Sequence, residues 1–275
     1  MPPFHSVAPP FQQQLRDIDA RPDTMFVQHD RPEYQFPMHQ HQKGQFLYVE
    51  DGVAFLITPT ESYFLPARHY VWVPPGMAHH PLLRSARSRL HSLCFPAEAD
   101  QEHSFFSAMG IYPLTPLLAE MLRHTEGWQG AIGPEEADKY LFLRCLRSVL
   151  PAASPHALPM VLPTTDDPRL HPVLAYVHQH LAEPLTLAGL ARQFGFSLRS
   201  LARLFQQRIS LSFVQYLKRS RVIAAMELLL QTTFTISEIA EQVGYASLSA
   251  FSNTFYQLVQ RRPTEFAAQA PRWRG

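Results

Sequence analysis

"TLAGLARQFGFSLRSLARLF", Thr186 to Phe205, and "TISEIAEQVGYASLSAFSNTF", Thr235 to Phe255, carry one pattern twice, about 50 residues apart. Each runs cap, apolar, apolar-Ala, apolar-Gly-aromatic, cap, apolar, Phe. Thr186 and Thr235 each suit the N-cap of a short helix, and Glu238 sits three residues after Thr235, where it completes a capping box. Gly195 and Gly244 then fall where a helix ends in a left-handed residue. Phe196 and Tyr245 plug the junction before Ser197 and Ser247 cap a second helix. A short helix, a Gly turn and a second helix make a helix-turn-helix. The two copies are joined by one long helical run capped by Ser212, "SFVQYLKRSRVIAAMELLL", and Pro263 suits the first turn of a short last helix.

Outward from the repeat, the charge changes sign. From Arg169 to the end there are 12 Lys and Arg against 5 Asp and Glu, a balance of +7; the residues before it hold 12 basic and 18 acidic groups, a balance of −6. The net charge of +1 hides this asymmetry, which points to a polyanionic partner for the C-terminal third alone. Upstream lies "PAASPHALPMVLPTTDDP", Pro151 to Pro168, whose five prolines predict a linker. The two runs before it, Leu114–His124 and Pro134–Leu150, place apolar residues at three- and four-residue spacing and predict amphipathic helices; Leu141, Cys145 and Val149 share a stripe. From Asp23 to Phe95 short β-type runs ("QFLYVEDG", "VAFLITPT", "ESYFLP", "HYVWVPPG", "RSRLHSLCF") are bounded by Gly, Pro or Asp, as in a sandwich or barrel. Within "VEDGVAFL", Asp51-Gly52 predicts a hairpin turn.

The 275 residues, 46% apolar and 17% charged, suffice for two globular domains. No apolar run approaches the roughly 18 residues of a membrane span. The N-terminus lacks the basic head and apolar block of a signal peptide. Cys94 and Cys145 form neither a metal motif nor a disulfide framework, which fits a reducing, cytoplasmic setting.

Over Leu170 to Ala268 the chain resembles the AraC/XylS family of transcription regulators. The resemblance implies two helix-turn-helix units that place their second helices, here Leu198–Gln207 and Leu248–Gln257, in successive major grooves about 34 Å apart. Leu201, Leu204 and Phe205 would form the buried stripe of the first, leaving Arg199, Ala202 and Arg203 at the family's base-contact positions. Arg can hold guanine O6 and N7 with both arms; the plainer alternative is that these arginines neutralise phosphates. The second helix buries Phe251 and Phe255 and exposes Ser249, Ser252 and Asn253. It departs from the family pattern at Asn253, Tyr256 and Gln257, where basic residues are usual, and at Gln260, where Gly usually ends the helix. Arg261 and Arg262 just beyond it are candidate phosphate contacts.

The N-terminal half resembles a cupin. His39-x-His41, Gln45 and Gly52 follow the spacing of the first cupin motif, with Gln for the usual Glu. Pro74, Gly76 and His79 of "PPGMAHHP" fit the second, although Arg68 and Leu83 stand where it has Gly and Asn. The resemblance implies that His39, His41, Gln45 and His79 converge inside a barrel. They are candidates for holding zinc, nickel, copper, iron or manganese, for lining a metal-free effector pocket, or for a purely structural role. His69, His80 and His91 read as surface or strand residues outside that role.

The expected architecture is α+β and multidomain. Residues 1–24 are a flexible tail, 25–150 a cupin-like β-barrel with amphipathic helices for effector sensing and dimerisation, 151–168 the linker, and 169–275 an all-α double helix-turn-helix domain. Function follows as a cytoplasmic, sequence-specific DNA-binding transcription regulator without catalysis, whose cupin domain senses a small molecule or metal and controls the double helix-turn-helix domain; the sign of regulation, activator or repressor, stays open. Its partners would be double-stranded promoter or operator DNA, a small-molecule or metal effector, RNA polymerase and a second copy of the chain, with no membrane. The alternative is a metal-dependent cupin enzyme, a dioxygenase or isomerase, with a helical appendage.

Overall fold

The structure, a computed structural model, describes residues 9–30, 36–50, 53–83, 89–97, 103–154, 156–158, 161–165 and 167–268. Its strands are β1 (Met25–Asp30), β2 (Gly44–Val49), β3 (Val53–Ile57), β4 (Glu61–Pro66), β5 (His69–Val73), β6 (His80–Leu83), β7 (Leu90–Phe95), β8 (Gly110–Pro113), β9 (Gly130–Ile132) and β10 (Val161–Pro163). Helices α1 (Pro9–Asp19), α2 (Pro116–His124) and α3 (Ala137–Ala153) belong to the N-terminal half. The C-terminal helices are α4 (His171–Gln179), α5 (Leu187–Gln193), α6 (Leu198–Leu204), α7 (Phe213–Gln231), α8 (Ile236–Gln242), α9 (Leu248–Val259) and α10 (Pro263–Ala268). No described helix is long and apolar enough to cross a membrane. Two compact units result, one from Met1–Thr58 and Ala67–Leu158, the other from Pro59–Pro66 and Pro159–Gly275.

The first unit is sheet-rich. Six antiparallel strands run in the order β8-β5-β2-β7-β1-β9, and β3 pairs with β6. Period-two alternation gives the large sheet two different faces. Phe46, Tyr48, Tyr70, Trp72, Leu93 and Phe95 point one way and pack under Leu118 and Leu122 of α2 and Leu143, Leu146 and Leu150 of α3. Each such side chain, fully buried, contributes about 1.5–3 kcal/mol of transfer free energy. Gln28, Gln45, Leu47, Ser92 and Cys94 lie in register on the other face.

The predicted tail is corrected by α1. Phe11, Leu15 and Ile18 are spaced for one helical face; Phe11 and Ile18 are 1% and 3% exposed, and Ile18 packs with Phe26 and Cys94. The polar run between them, Gln12 to Gln14, hid this stripe from the sequence reading. The predicted hairpin is corrected as well. Asp51-Gly52 itself lies outside the described residues, but β2 pairs with β5 and β7 while β3 pairs with β6 in another sheet. β2 is buried along its whole length, so both its edges are already taken by long-range partners. His69 and His91 do lie in strands, but buried, not at the surface.

In the second unit α7 is the axis. Tyr216, Leu217, Val222, Met226 and Leu229 are buried around it, as expected of a helix that contacts neighbours on several sides. The predicted linker also needs correction. Its first residues finish α3, and Ser154 is buried with its hydroxyl 2.5 Å from that of Tyr70. Val161–Pro163 forms β10, antiparallel to β4 with Val161 opposite Tyr63, and Arg219 of α7 donates to the Val161 carbonyl at 3.3 Å. Proline is compatible with a short strand at a sheet margin, which is why a proline count misread this segment.

Candidate functional site: a DNA-reading face and a histidine cluster

In the second unit the two repeats build the same local geometry twice. Thr186 accepts the Gly189 amide at 3.1 Å and Ser197 that of Ser200 at 3.1 Å; Thr235 accepts from Glu238 at 3.2 Å and Ser247 from Ala250 at 3.4 Å. Ser212–Gln215 and Thr235–Glu238 are both complete capping boxes. Gly195 and Gly244 have φ of +72° and +83°, and the next amides, Phe196 and Tyr245, donate back to Ala191 and Ala240 at 2.8 Å each. Arg221 of α7 ties the α4–α5 turn to the Gly244–Tyr245 turn of the second repeat. It donates to the Leu181 and Glu183 carbonyls at 3.0 and 2.8 Å and lies 5.6 Å from the Tyr245 ring. A Cβ on Gly244 would come within 2.4 Å of the Leu181 oxygen, so glycine is required there for close approach as well as for its φ.

These turns set the two second helices. On α6, Leu201, Leu204 and Phe205 point inward while Arg199, Ala202 and Arg203 are exposed. The chain continues as a π-helical turn, Phe205–Ile209, and closes on Ser210 at φ +59°. On α9, Phe251, Phe255 and Val259 are buried and Ser249 and Asn253 exposed; Ser252 is half-buried, less open than the sequence predicts. Arg262 donates to Asn253 Oδ1 at 3.3 Å and stands 4.8 Å from the Tyr256 ring, so Asn253, Tyr256 and Arg262 form one group; Arg261 precedes it, half-buried. The sequence reading passed over Leu198 and Leu248. They begin the two helices at equivalent positions and are 54% and 48% exposed. Their equivalence in the repeat was the available signal.

In the first unit, His39, His41 and His79 each bring a ring nitrogen within 4.8 Å of the other two. Their backbones are joined as well. His39 and His79 exchange amide–carbonyl bonds at 3.0 and 2.8 Å, and Gly76, at φ +73°, donates to the His41 carbonyl at 2.8 Å. The "PPGMAHHP" turn thus places His79 beside the residues that lead into β2. Each ring uses Nδ1 against a nearby carbonyl: His39 to Pro37 at 2.9 Å, His41 to Lys43 at 2.8 Å, His79 to Met77 at 2.8 Å. A neutral imidazole that donates through Nδ1 leaves Nε2 as a lone pair. Burial holds all three neutral: His79 is pushed down to about 3 and His39 to about 4, and His41 is lowered.

Gln45, on β2, is the fourth predicted member. Its Oε1 lies 3.4 Å from His41 Nε2, and its amide nitrogen donates to Ser92 Oγ at 2.7 Å. Two acceptors therefore face one another, and His79 Nε2 is buried without a partner. This donor set fits a metal ion: one ring nitrogen from each of three neutral imidazoles converges, and each ring is fixed through Nδ1 by a backbone carbonyl. A cleft adjoins the cluster, with His39, Gln45, Gln28 and Ser92 in its wall and Phe11 and Phe36 over it. Phe11 meets His39 edge-on, with ring centres 4.9 Å apart.

Comparison with known proteins agrees with the repeat. Residues 190–269 match the family model described as a helix-turn-helix domain. Over 233 residues the chain is 26% identical to the HTH-type transcriptional regulator NimR of Escherichia coli (strain K12), covering 85% of this chain and 82% of that protein. It is 35% identical over 92 residues to the HTH-type transcriptional activator RhaS of Salmonella schwarzengrund (strain CVM19633), a stretch that spans 34% of this chain and 33% of that relative. Among solved structures, the C-terminal domain of AraT, a response regulator from Geobacillus stearothermophilus, is 30% identical, covers 40% of this chain and 92% of that one, and gives a TM-score of 0.38. The protein is a transcription regulator that binds double-stranded DNA through its helix-turn-helix domain, and the alternative of a cupin enzyme is overturned. Its residues 190–269 are a helix-turn-helix domain of the AraC type.

Proposed function

We propose that the cupin-like first unit is an effector sensor governing DNA reading by the second, and that the histidine cluster with its cleft is the sensing site. The observation that carries this is the convergence of half-buried His39 with buried His41 and His79, whose own Nε2 has no partner. An uncompensated polar atom in a core costs about 1–3 kcal/mol, which a fold would shed unless a ligand used it. A divalent ion bound there would supply a Lewis-acid anchor for an effector's donor atom. Gln45, Ser92 and Gln28 would orient that effector.

On the DNA side, Arg199 and Arg203 read bases from α6, with Ala202 between them against the groove floor. Ser249, Ser252 and Asn253 read more weakly from α9, and Arg261 and Arg262 hold phosphates. Leu198 and Leu248 suit thymine methyl groups. A second copy of the chain would pair along α2 and α3, where Leu117 and Leu141 are exposed and Cys145 lies on the same stripe as Leu141. Activation would proceed by contact with RNA polymerase.

The test uses a reporter driven by a promoter that the protein occupies. The triple variant His39→Ala, His41→Ala, His79→Ala should still bind that DNA in vitro, yet leave reporter output fixed at one level across growth conditions. Wild-type regulation in the triple variant would remove the cluster from sensing.

A further inference from the structure

The charge balance of the histidine cluster narrows what the sensor takes. We infer that the effector of this site is a small anion, of the carboxylate class, that completes the coordination of an ion held by His39, His41 and His79. The inference rests on the sensor reading above and deepens it.

Count the charges that an ion would meet. The three imidazoles are neutral, and the nearest fourth group, Gln45, is a neutral amide. Ser92 and Gln28 in the cleft wall are neutral. Asp19, whose two oxygens share the Gln42 amide at 3.1 and 3.0 Å, keeps its negative charge and acts on both His41 and Lys43. Lys43, two residues from His41, is buried with its ammonium on Thr24 Oγ1 at 3.1 Å and offsets that carboxylate, so the pair leaves an ion's charge uncompensated. Cys94, on the same sheet face as Gln45 and Ser92, has its sulfur 3.8 Å from Ser92 Oγ.

A dication in this setting would keep its full charge in a buried site. Even after relaxation, an unpaired buried charge costs several kcal/mol. A neutral sugar or alcohol completes coordination without reducing that cost. An anion removes half of it or more. The residues thus select an anionic ligand by omission: the protein brings three lone pairs and no carboxylate.

The experiment uses the full chain, stripped with chelator and titrated with Co2+ while visible absorption and metal content are followed. Wild type should take up about one equivalent, and His79→Ala, with its circular dichroism unchanged, should not. Acetate, benzoate and azide should then shift the cobalt bands and tighten cobalt binding about tenfold, equivalent to about 1.4 kcal/mol; glycerol and glucose should do neither. Gln45→Glu supplies the missing carboxylate, so it should bind cobalt about tenfold more tightly without added anion and lose the anion response. Failure of wild type to bind cobalt removes the metal and the anion with it, and leaves a metal-free pocket as the sensor. Stoichiometric cobalt whose bands ignore millimolar anions, follow pH alone or respond equally to glycerol overturns the anion proposal while the metal site stands.

Discussion

Gln260 ends α9 at φ +59°, and Arg68 precedes β5 at φ +62°. Both stand where the resembled families place glycine, so the backbone keeps the left-handed residue although the side chain opposes it. That conformation costs an L residue roughly 1–2 kcal/mol, against about 0.5–1 kcal/mol of extra chain entropy for glycine. Gln260→Gly should therefore stabilise the protein by about 0.5–1 kcal/mol in urea unfolding; an equal loss would mean that the side-chain bond from Gln260 to the Gln257 carbonyl outweighs the strain. The residues proposed to read DNA divide in a second way. Arg203→Ala should cost about 1–3 kcal/mol at one base position and relax preference there, whereas Arg262→Ala should weaken all sequences alike and lower the salt slope by about one unit. Equal, sequence-independent losses would make Arg203 a phosphate contact. At this scale the sequence was informative where chemistry depends on local spacing. His39, His41 and His79 could be singled out by motif, but the acceptor–acceptor contact of Gln45 and the bond from Arg262 to Asn253 depend on side-chain directions that spacing does not determine.

Among the elements, those fixed by local hydrogen bonding were legible. Thr186, Ser197, Ser212, Thr235 and Ser247 all cap helices, because a cap needs only the residue and the three that follow it. Elements fixed by distant partners were not. α1 is amphipathic only over Phe11, Leu15 and Ile18, and β10 exists because β4 and α7 receive it. The hairpin read at Asp51-Gly52 failed for the same reason: turn chemistry says nothing of which sheet the next strand joins. Thr235→Ala removes the acceptor for the Glu238 amide and half of a capping box, so it should cost about 1 kcal/mol. Thermal unfolding followed by circular dichroism would measure it, and a change within error would show that α8 is held by packing alone.

For the whole molecule, domain order and the basic C-terminal third were readable from composition, whereas the acid response is a property of the fold. His29 and His91 face each other across β1 and β7 with Nδ1 atoms 2.9 Å apart, and His29 Nε2 donates to the Thr125 carbonyl at 2.9 Å. Glu50, Arg89, Glu126 and Tyr48 surround the pair. Burial, then His29, pushes His91 down to about 4 from 6.5, and burial lowers His29. The unfolded chain therefore binds protons first, so stability is full above about pH 6.5 and is lost as pH falls toward about 4. His39, His41 and His79, held down by burial in the same way, add to that loss, so in denaturant unfolding between those limits the loss should shrink by roughly 1–3 kcal/mol in His91→Gln. The central claim is that two helix-turn-helix units read DNA in a fixed relative position. Selecting bound sequences from a random duplex pool with the full chain, at physiological salt, tests it most directly. Two short elements should emerge, centred about 10–11 base pairs apart on one face of the helix, with the element read by α6 the more sharply defined. A pool that stays random while binding vanishes with added salt would reduce the interface to phosphate neutralisation and contradict it.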